Sequence, residues 1–208
     1  MHHTIRSIAV LAVICAQSAI SGAQTPQRGA KPVPGGSVPA KPVPAAQPGT
    51  PRPGPAANDQ RLVIPSGFTV DYPKKDWQTL VGVGSSVVVL FHKSREAAIA
   101  IERTKVRVAL AINEINDQTA NGEIEDWQLR RSMATGFTHQ FVDFNGTRSI
   151  LIDFTQPGAQ GPEHVRLYTL PRGTDWFRAI CTTTQPTFDK YKETCHRIAL
   201  SVTPAATP

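Results

Sequence analysis

The chain has 208 residues, 40% of them hydrophobic, with 22 Lys and Arg against 16 Asp and Glu, a formal charge of +6. That length allows about one folded domain with its own core, and no apolar stretch reaches the roughly 20 residues that a membrane-spanning helix needs. The charge is unevenly placed: Arg6, Arg28, Lys31, Lys41 and Arg52 precede residue 61 against Asp59 alone, leaving 17 basic and 15 acidic residues from Arg61 onward, a near-balance that excludes the strongly basic surface of a nucleic-acid binder.

The N-terminus carries an export pattern. His2, His3 and Arg6 give a basic start, residues 8–16 an apolar run, and Ser21 and Ala23 the small residues before a cleavage after Ala23. Residues 1–23 therefore read as a signal peptide, and the chain as periplasmic or secreted. Cys15 follows Val13 and Ile14, where a lipidation motif places a small residue, so no lipid anchor is expected. Residues 24–60 hold ten prolines, no aromatic residue, and the pentad Ala-Lys-Pro-Val-Pro twice, at 30–34 and 40–44. Nothing there offsets the entropy of ordering. Proline fixes φ and favours extended polyproline II, so the segment reads as a disordered tether of at most roughly 115 Å. Its scattered cations allow a weak contact with an anionic surface.

Residues 61–204 read as the folded domain and 205–208 as a disordered tail. Phe68–Pro73 is a strand stopped by proline, and residues 77–83 a second. Val87–His92 is a β-branched strand. In residues 97–104, Ile99 and Ile101 alternate with Glu102, the period of a fourth strand. Residues 109–133 carry a sparse helical stripe of Ile112, Ile115, Ile124, Trp127 and Met133. Asn121-Gly122 is expected to kink or split that helix.

Asn145-Gly146 marks a hairpin, because both residues tolerate the positive φ of a type I′ turn. Taken as a two-residue loop, it sets Asp143 opposite Arg148, Phe141 opposite Ile150, His139 opposite Ile152 and Phe137 opposite Phe154. The opposite face, with Thr138, Gln140, Val142, Ser149, Leu151 and Asp153, is mixed to polar. A second hairpin joins residues 165–170 to residues 176–183 through Pro171-Arg-Gly-Thr174. A closing helix over residues 187–199 carries the stripe Phe188, Tyr191, Cys195 and Ile198 on one face. The fold class is α+β, an antiparallel β-sheet flanked by helices with the C-terminal helix packed on it.

The processed chain keeps two cysteines, Cys181 and Cys195, and an even count in an exported protein favours a disulfide. Cys181 shares a strand face with Phe177 and Ala179. Cys195 lies on the apolar stripe of the helix that covers that face, so a structural bridge is expected, without the close spacing of a redox pair. No histidines have metal-ligand spacing. Among Phe137 and Phe141, His139 reads as a hydrogen-bonded core or rim histidine. Gly82-Val-Gly-Ser-Ser86 fails the phosphate-loop spacings. Glu123, Glu125 and Asp126 lack calcium-loop spacing and read as a solvated helix face. No catalytic residue, metal or cofactor is assigned.

Phe68-Thr-Val-Asp-Tyr-Pro73 with Trp77, the strands at 87–91 and 97–104, Tyr168-Thr-Leu-Pro-Arg-Gly173, Trp176-Phe-Arg-Ala-Ile-Cys181, Phe188-Asp-Lys-Tyr191 and Ile198-Ala-Leu-Ser-Val202 together resemble the PsbP-like fold, shared by the extrinsic photosystem II protein and by envelope proteins of the DcrB type. The resemblance covers most of residues 62–203 and none of the tether. It implies an antiparallel sheet flanked by helices and a mostly non-enzymatic binding or assembly role; no site motif carries over. The expected function is an exported, non-catalytic binding or assembly module of the bacterial cell envelope, with an envelope protein as partner. The alternative is a binder of a small or lipid-like ligand, or a cryptic hydrolase, using a sheet–helix groove near Trp127 and Trp176.

Overall fold

The computed structural model describes residues 58–81, 87–107, 109, 111, 114–144 and 147–205. The signal segment, nearly all of the tether, the Gly82–Ser86 loop and the Asn145-Gly146 turn lie outside them. The described residues form two antiparallel sheets and two α-helices.

The small sheet begins two residues inside the segment read as tether. Strand β1 (Asp59–Ile64) pairs antiparallel with β2 (Phe68–Pro73), and β10 (Thr203–Pro204) takes the other side of β2. A three-residue turn joins β1 to β2. Gly67 closes it at φ +89°, and a Cβ there would sit 2.7 Å from Arg103 Nη1. Only glycine meets both demands. Arg61 and Asp71, opposite each other in the register, form a two-point ion pair at 2.8 and 2.9 Å.

The large sheet has seven strands: β3 (Trp77–Val81), β4 (Val87–His92), β5 (Ala97–Lys105), β6 (Thr135–Phe144), β7 (Thr147–Gly158), β8 (Gly161–Arg172) and β9 (Asp175–Thr184). Their spatial order is β3-β4-β5-β9-β8-β7-β6, antiparallel throughout. The hairpin register holds from Asp143↔Arg148 to Thr138↔Asp153 and then slips by one residue. Phe137 thus leaves the ladder, yet its ring still stacks on Phe154 at 4.7 Å.

Side-chain alternation gives this sheet two buried faces. Helix α1 (Asp117–Arg130) lies on one. Its Ala120 and Trp127 share a core with Ile115, Ile150, Ile152, Phe154, Val165 and Leu167. Helix α2 (Phe188–Leu200) and the small sheet share the opposite core with Leu90, Ile99, Ile101, Leu151, Tyr168, Leu170, Phe177 and Ala179. The hairpin face expected to be mixed to polar is therefore partly interior: Ser149 and Leu151 are both buried.

The helical region differs from expectation in both start and continuity. Asn116 caps α1, its side chain accepting from the Gln118 and Thr119 amides at 3.0 and 3.2 Å, and this fixes the start at Asp117. Ile115 before the cap and Ala120 on the first turn share one core, pinning the entry of the chain. The helix then runs through Asn121-Gly122 without a break. A single exposed glycine costs about 1 kcal/mol, which the buried stripe of Ala120, Glu123 and Trp127 offsets. Met133 falls outside that stripe, and it and Leu129 are strongly exposed. Helix α2 follows the expected stripe, with Tyr191, Cys195 and Ile198 buried, and Val202 buried beyond its end.

Candidate functional site

Cys181 on β9 and Cys195 on α2 are bonded, with their Cα atoms 6.0 Å apart. Both are buried, so the bridge fixes α2 to the sheet from inside the core. Trp127 is also interior, its ring 6.1 Å from Phe154. Trp176 pairs in register with Thr104 and Pro171. Phe154 lies in the row of Val165 and Thr182, six residues along β9 from Trp176, about 20 Å at strand spacing. The two tryptophans therefore occupy different ends of the α1 face. Each buries an indole N–H that has no acceptor among the described residues.

Three sets of polar side chains converge elsewhere. The first lies beneath α1. Arg178 of β9 donates from Nη2 to Glu123 Oε1 at 2.8 Å and from Nε to Oε2 at 3.1 Å. Thr169, fully buried on β8, donates to the same Oε2 at 3.3 Å. Burial alone would lower the Arg178 pKa, and the Glu123 carboxylate outweighs it, so the pKa is raised. Glu123 is thus a buried partner and not part of a solvated acidic face; its oxygens are occupied.

A second set lies between β7, β8 and the flank of α2. Asp153 accepts from Arg166 Nε and Nη2 at 2.8 and 2.9 Å, and its Oδ1 is 3.0 Å from His164 Nε2. The His164 ring stacks on Phe188 at 3.6 Å, and the Arg166 guanidinium lies over the same ring at 4.8 Å. Burial would push Asp153 up; the bonds from His164 and Arg166 prevail and hold it below the usual carboxylate value. Tyr168 lies two residues along β8, and burial pushes its hydroxyl well up. His196 of α2 packs 5.7 Å from the Tyr168 ring, and burial lowers its pKa.

The third set ties the β4–β5 turn to α2. Ser94 Oγ lies 2.7 Å from His92 Nδ1 and donates to Glu96 Oε2 at 3.0 Å. That oxygen also takes the Tyr191 hydroxyl at 2.6 Å and Lys190 Nζ at 2.7 Å. The Lys190 bond, then those of Tyr191 and Ser94, lower the Glu96 pKa to about 2. Trp77 closes the cluster edge-on to His92 and Tyr191.

Serine, histidine and glutamate meet here, the residue types of a hydrolytic relay. A relay needs the base to take the serine proton through one ring nitrogen while a carboxylate holds the other. Here Nδ1 faces both Ser94 Oγ and the Ser94 amide, which donates to it at 3.2 Å. The carboxylate holds the serine and the tyrosine instead of the imidazole. The set is a clasp between turn and helix.

No protein-family model and no curated protein matches the sequence. Solved structures do. The solution structure of the cyanobacterial PsbP, CyanoP, from Synechocystis superimposes with a TM-score of 0.55, covering 72% of this chain and 94% of that one at 12% identity. A crystal structure from Bacteroides thetaiotaomicron gives 0.51 at 11% identity, covering 71% of this chain and 48% of that one. The chain has the PsbP-like fold.

Within this PsbP-like fold the sequence reading brought together Cys181 and Cys195, and it placed His139 correctly at the rim. His139 Nε2 lies 3.0 Å from Asp117 Oδ1, with the ring edge-on to Phe141. It missed the Asp153, His164 and Arg166 set. The missing signal was Pro157-Gly158: a tight hairpin there, with Gly158 opposite Gly161, sets Asp153 directly opposite Arg166.

Proposed function

We propose that the chain is an exported, non-catalytic binding or assembly module of the bacterial cell envelope, akin to the DcrB-type proteins. Residues 1–23 direct export, residues 24–58 act as a spacer, and residues 59–204 form the binding unit, with an envelope protein as partner. One observation carries the reading. The three convergent sets of titratable side chains among the described residues are closed on themselves, each linking a helix to the sheet, as in a rigid platform. A disulfide compatible with an oxidising compartment and the PsbP-like fold support it; function itself lives in sites and not in folds. The test is to fractionate cells making the full chain, cross-link, and identify proteins joined to it. A reproducible envelope partner supports the reading. Recovery in the cytoplasm with both thiols free, or hydrolytic turnover abolished by Ser94→Ala, contradicts it.

A second reading has its own observation. The indole N–H groups of Trp127 and Trp176 are buried without acceptors, and such groups cost free energy until a partner is supplied. A small ligand with an acceptor group on the α1 face would satisfy one of them; meeting both takes an extended, lipid-like molecule that spans about 20 Å. Native mass spectrometry of the secreted protein that shows only the bare chain excludes this reading.

A further inference from the structure

Among the described residues, strand β6 ends the large sheet and pairs with β7 alone. Free edges invite pairing with another chain, and proteins blunt them with lysine, proline, bulges or short length. The opposite edge, β3, has five residues. Strand β6 has ten, Thr135–Phe144, with no lysine, arginine or proline. Its irregularity lies at the start, between Thr135 and Thr138, and the remainder is regular. Thr138, Gln140 and Asp143 are exposed; His139, Phe141 and Val142 are partly so.

Hairpin geometry decides which backbone groups are free. Phe144 and Thr147 flank a two-residue loop, and that flanking pair exchanges both backbone bonds, with alternation from there. Thr138, Gln140 and Val142 therefore bond to β7, while His139, Phe141 and Asp143 turn their N–H and C=O groups to the open edge. These same three side chains share the α1 face of the sheet.

We infer that β6 pairs antiparallel with β6 of a second copy about a two-fold axis through Phe141. In this register Phe141 faces its own counterpart, and His139 of each copy faces Asp143 of the other. All the outward backbone groups of the three residues are used. The register thus joins an aromatic pair to two symmetric imidazole–carboxylate pairs on one face, beside the Asp117 carboxylate that already meets His139 and the Arg148 that faces Asp143 within the hairpin; aromatic and polar pairs of this kind stabilise cross-strand neighbours. Shifting it by two residues sets either His139 or Asp143 against Phe141 and loses the imidazole–carboxylate match. Shifting it by one opposes groups already bonded to β7. The strand is self-complementary, and this selects a second copy as its occupant and makes the two seven-stranded sheets continuous. The inference is independent of export and of the tether.

The test uses the full chain with its native disulfide. In the proposed register the Phe141→Cys variant brings two identical positions to a Cα separation of about 5.5 Å, inside the range of roughly 4.4–6.8 Å that a disulfide spans. Thr138→Cys faces its own copy six residues out of step, about 20 Å away. Mild oxidation is expected to yield at least about tenfold more covalent dimer from the first variant than from the second. Sedimentation equilibrium gives a second arm that leaves Phe141 in place. Asp143→Lys, whose melting temperature is read alongside because Asp143 faces Arg148 within the hairpin, is expected to weaken the dimer about tenfold by removing both carboxylates that meet His139 across the axis. Equal cross-linking at both positions, an unweakened Asp143→Lys dimer, or a monomer at every loading overturns the inference; a monomer whose edge takes a strand from another protein does so as well.

Discussion

Replacing Glu123 with alanine is the sharpest perturbation of the helix–sheet joint. The carboxylate takes two bonds from Arg178 and one from the buried Thr169 hydroxyl. Its removal leaves Arg178 with Glu102, whose carboxylate is 3.8 Å away, and leaves Thr169 without its acceptor. Breaking a buried pair from one side costs about 3–5 kcal/mol, because a charge stays behind in low dielectric. The Arg178 side chain retains 18% of its exposure, and water together with Glu102 screens it. The expected cost of Glu123→Ala is therefore about 2–3 kcal/mol, a fall of roughly 5–10 °C in melting temperature for a domain of this size. The double variant Glu123→Leu/Arg178→Met removes both charges and keeps their bulk, so it is expected to recover most of that loss. The assay is urea and thermal unfolding, followed by circular dichroism, of Glu123→Ala and of the wild type, Glu123→Leu, Arg178→Met and their double variant, the last four read as a double-mutant cycle. If Glu123→Ala costs less than about 0.5 kcal/mol, or the two substitutions simply add, the pair does not hold α1 and the reasoning fails.

Three further outcomes are expected. Cys181→Ala/Cys195→Ala opens a loop with a sequence separation of 14, which the chain-entropy account values at about 3 kcal/mol, so its melting temperature should fall by roughly 6–12 °C; equal melting with and without reductant contradicts this. Burial holds His196 below its ordinary 6.5, with Glu193 opposing and Arg166 reinforcing. The fold thus favours the neutral ring, and its contribution is complete above pH 6.5 and lost as pH falls below it; His196→Phe should flatten that part of the stability profile. Asp153 is held below its ordinary 3.8, so its contribution is present above pH 3.8 and lost on acidification. An acid limb measured by urea unfolding that is unchanged in Asp153→Asn would contradict the role given to its bonds.

What was legible in the sequence came from short spacings. Asn145-Gly146 set the β6–β7 register, and the stripe through Tyr191, Cys195 and Ile198 put a thiol beneath α2; the β8–β9 hairpin was legible too, but its loop is only Gly173-Thr174, with Pro171 and Arg172 paired inside β8 and not in the turn. Contacts spanning distant strands were not legible. Arg178 meets Glu123 only because β9 lies inside the sheet, between β5 and β8. That placement also buries both faces of β7, so Ser149 and Leu151 could not be assigned to an interior by alternation alone. Helix α1 was misjudged because Asn-Gly signals a turn in isolation, while tertiary packing of Trp127 and Ala120 overrides it. Trp127 and Trp176 are large and apolar, and composition alone cannot separate a groove from a core.

Intact mass of the chain recovered from its own cells tests the central proposal, an exported platform with its last helix bridged to the sheet. The account predicts the mass of residues 24–208 less the two thiol hydrogens of Cys181 and Cys195, with no alkylation before reduction. A chain that still begins at Met1 and alkylates at both cysteines without reductant would contradict it.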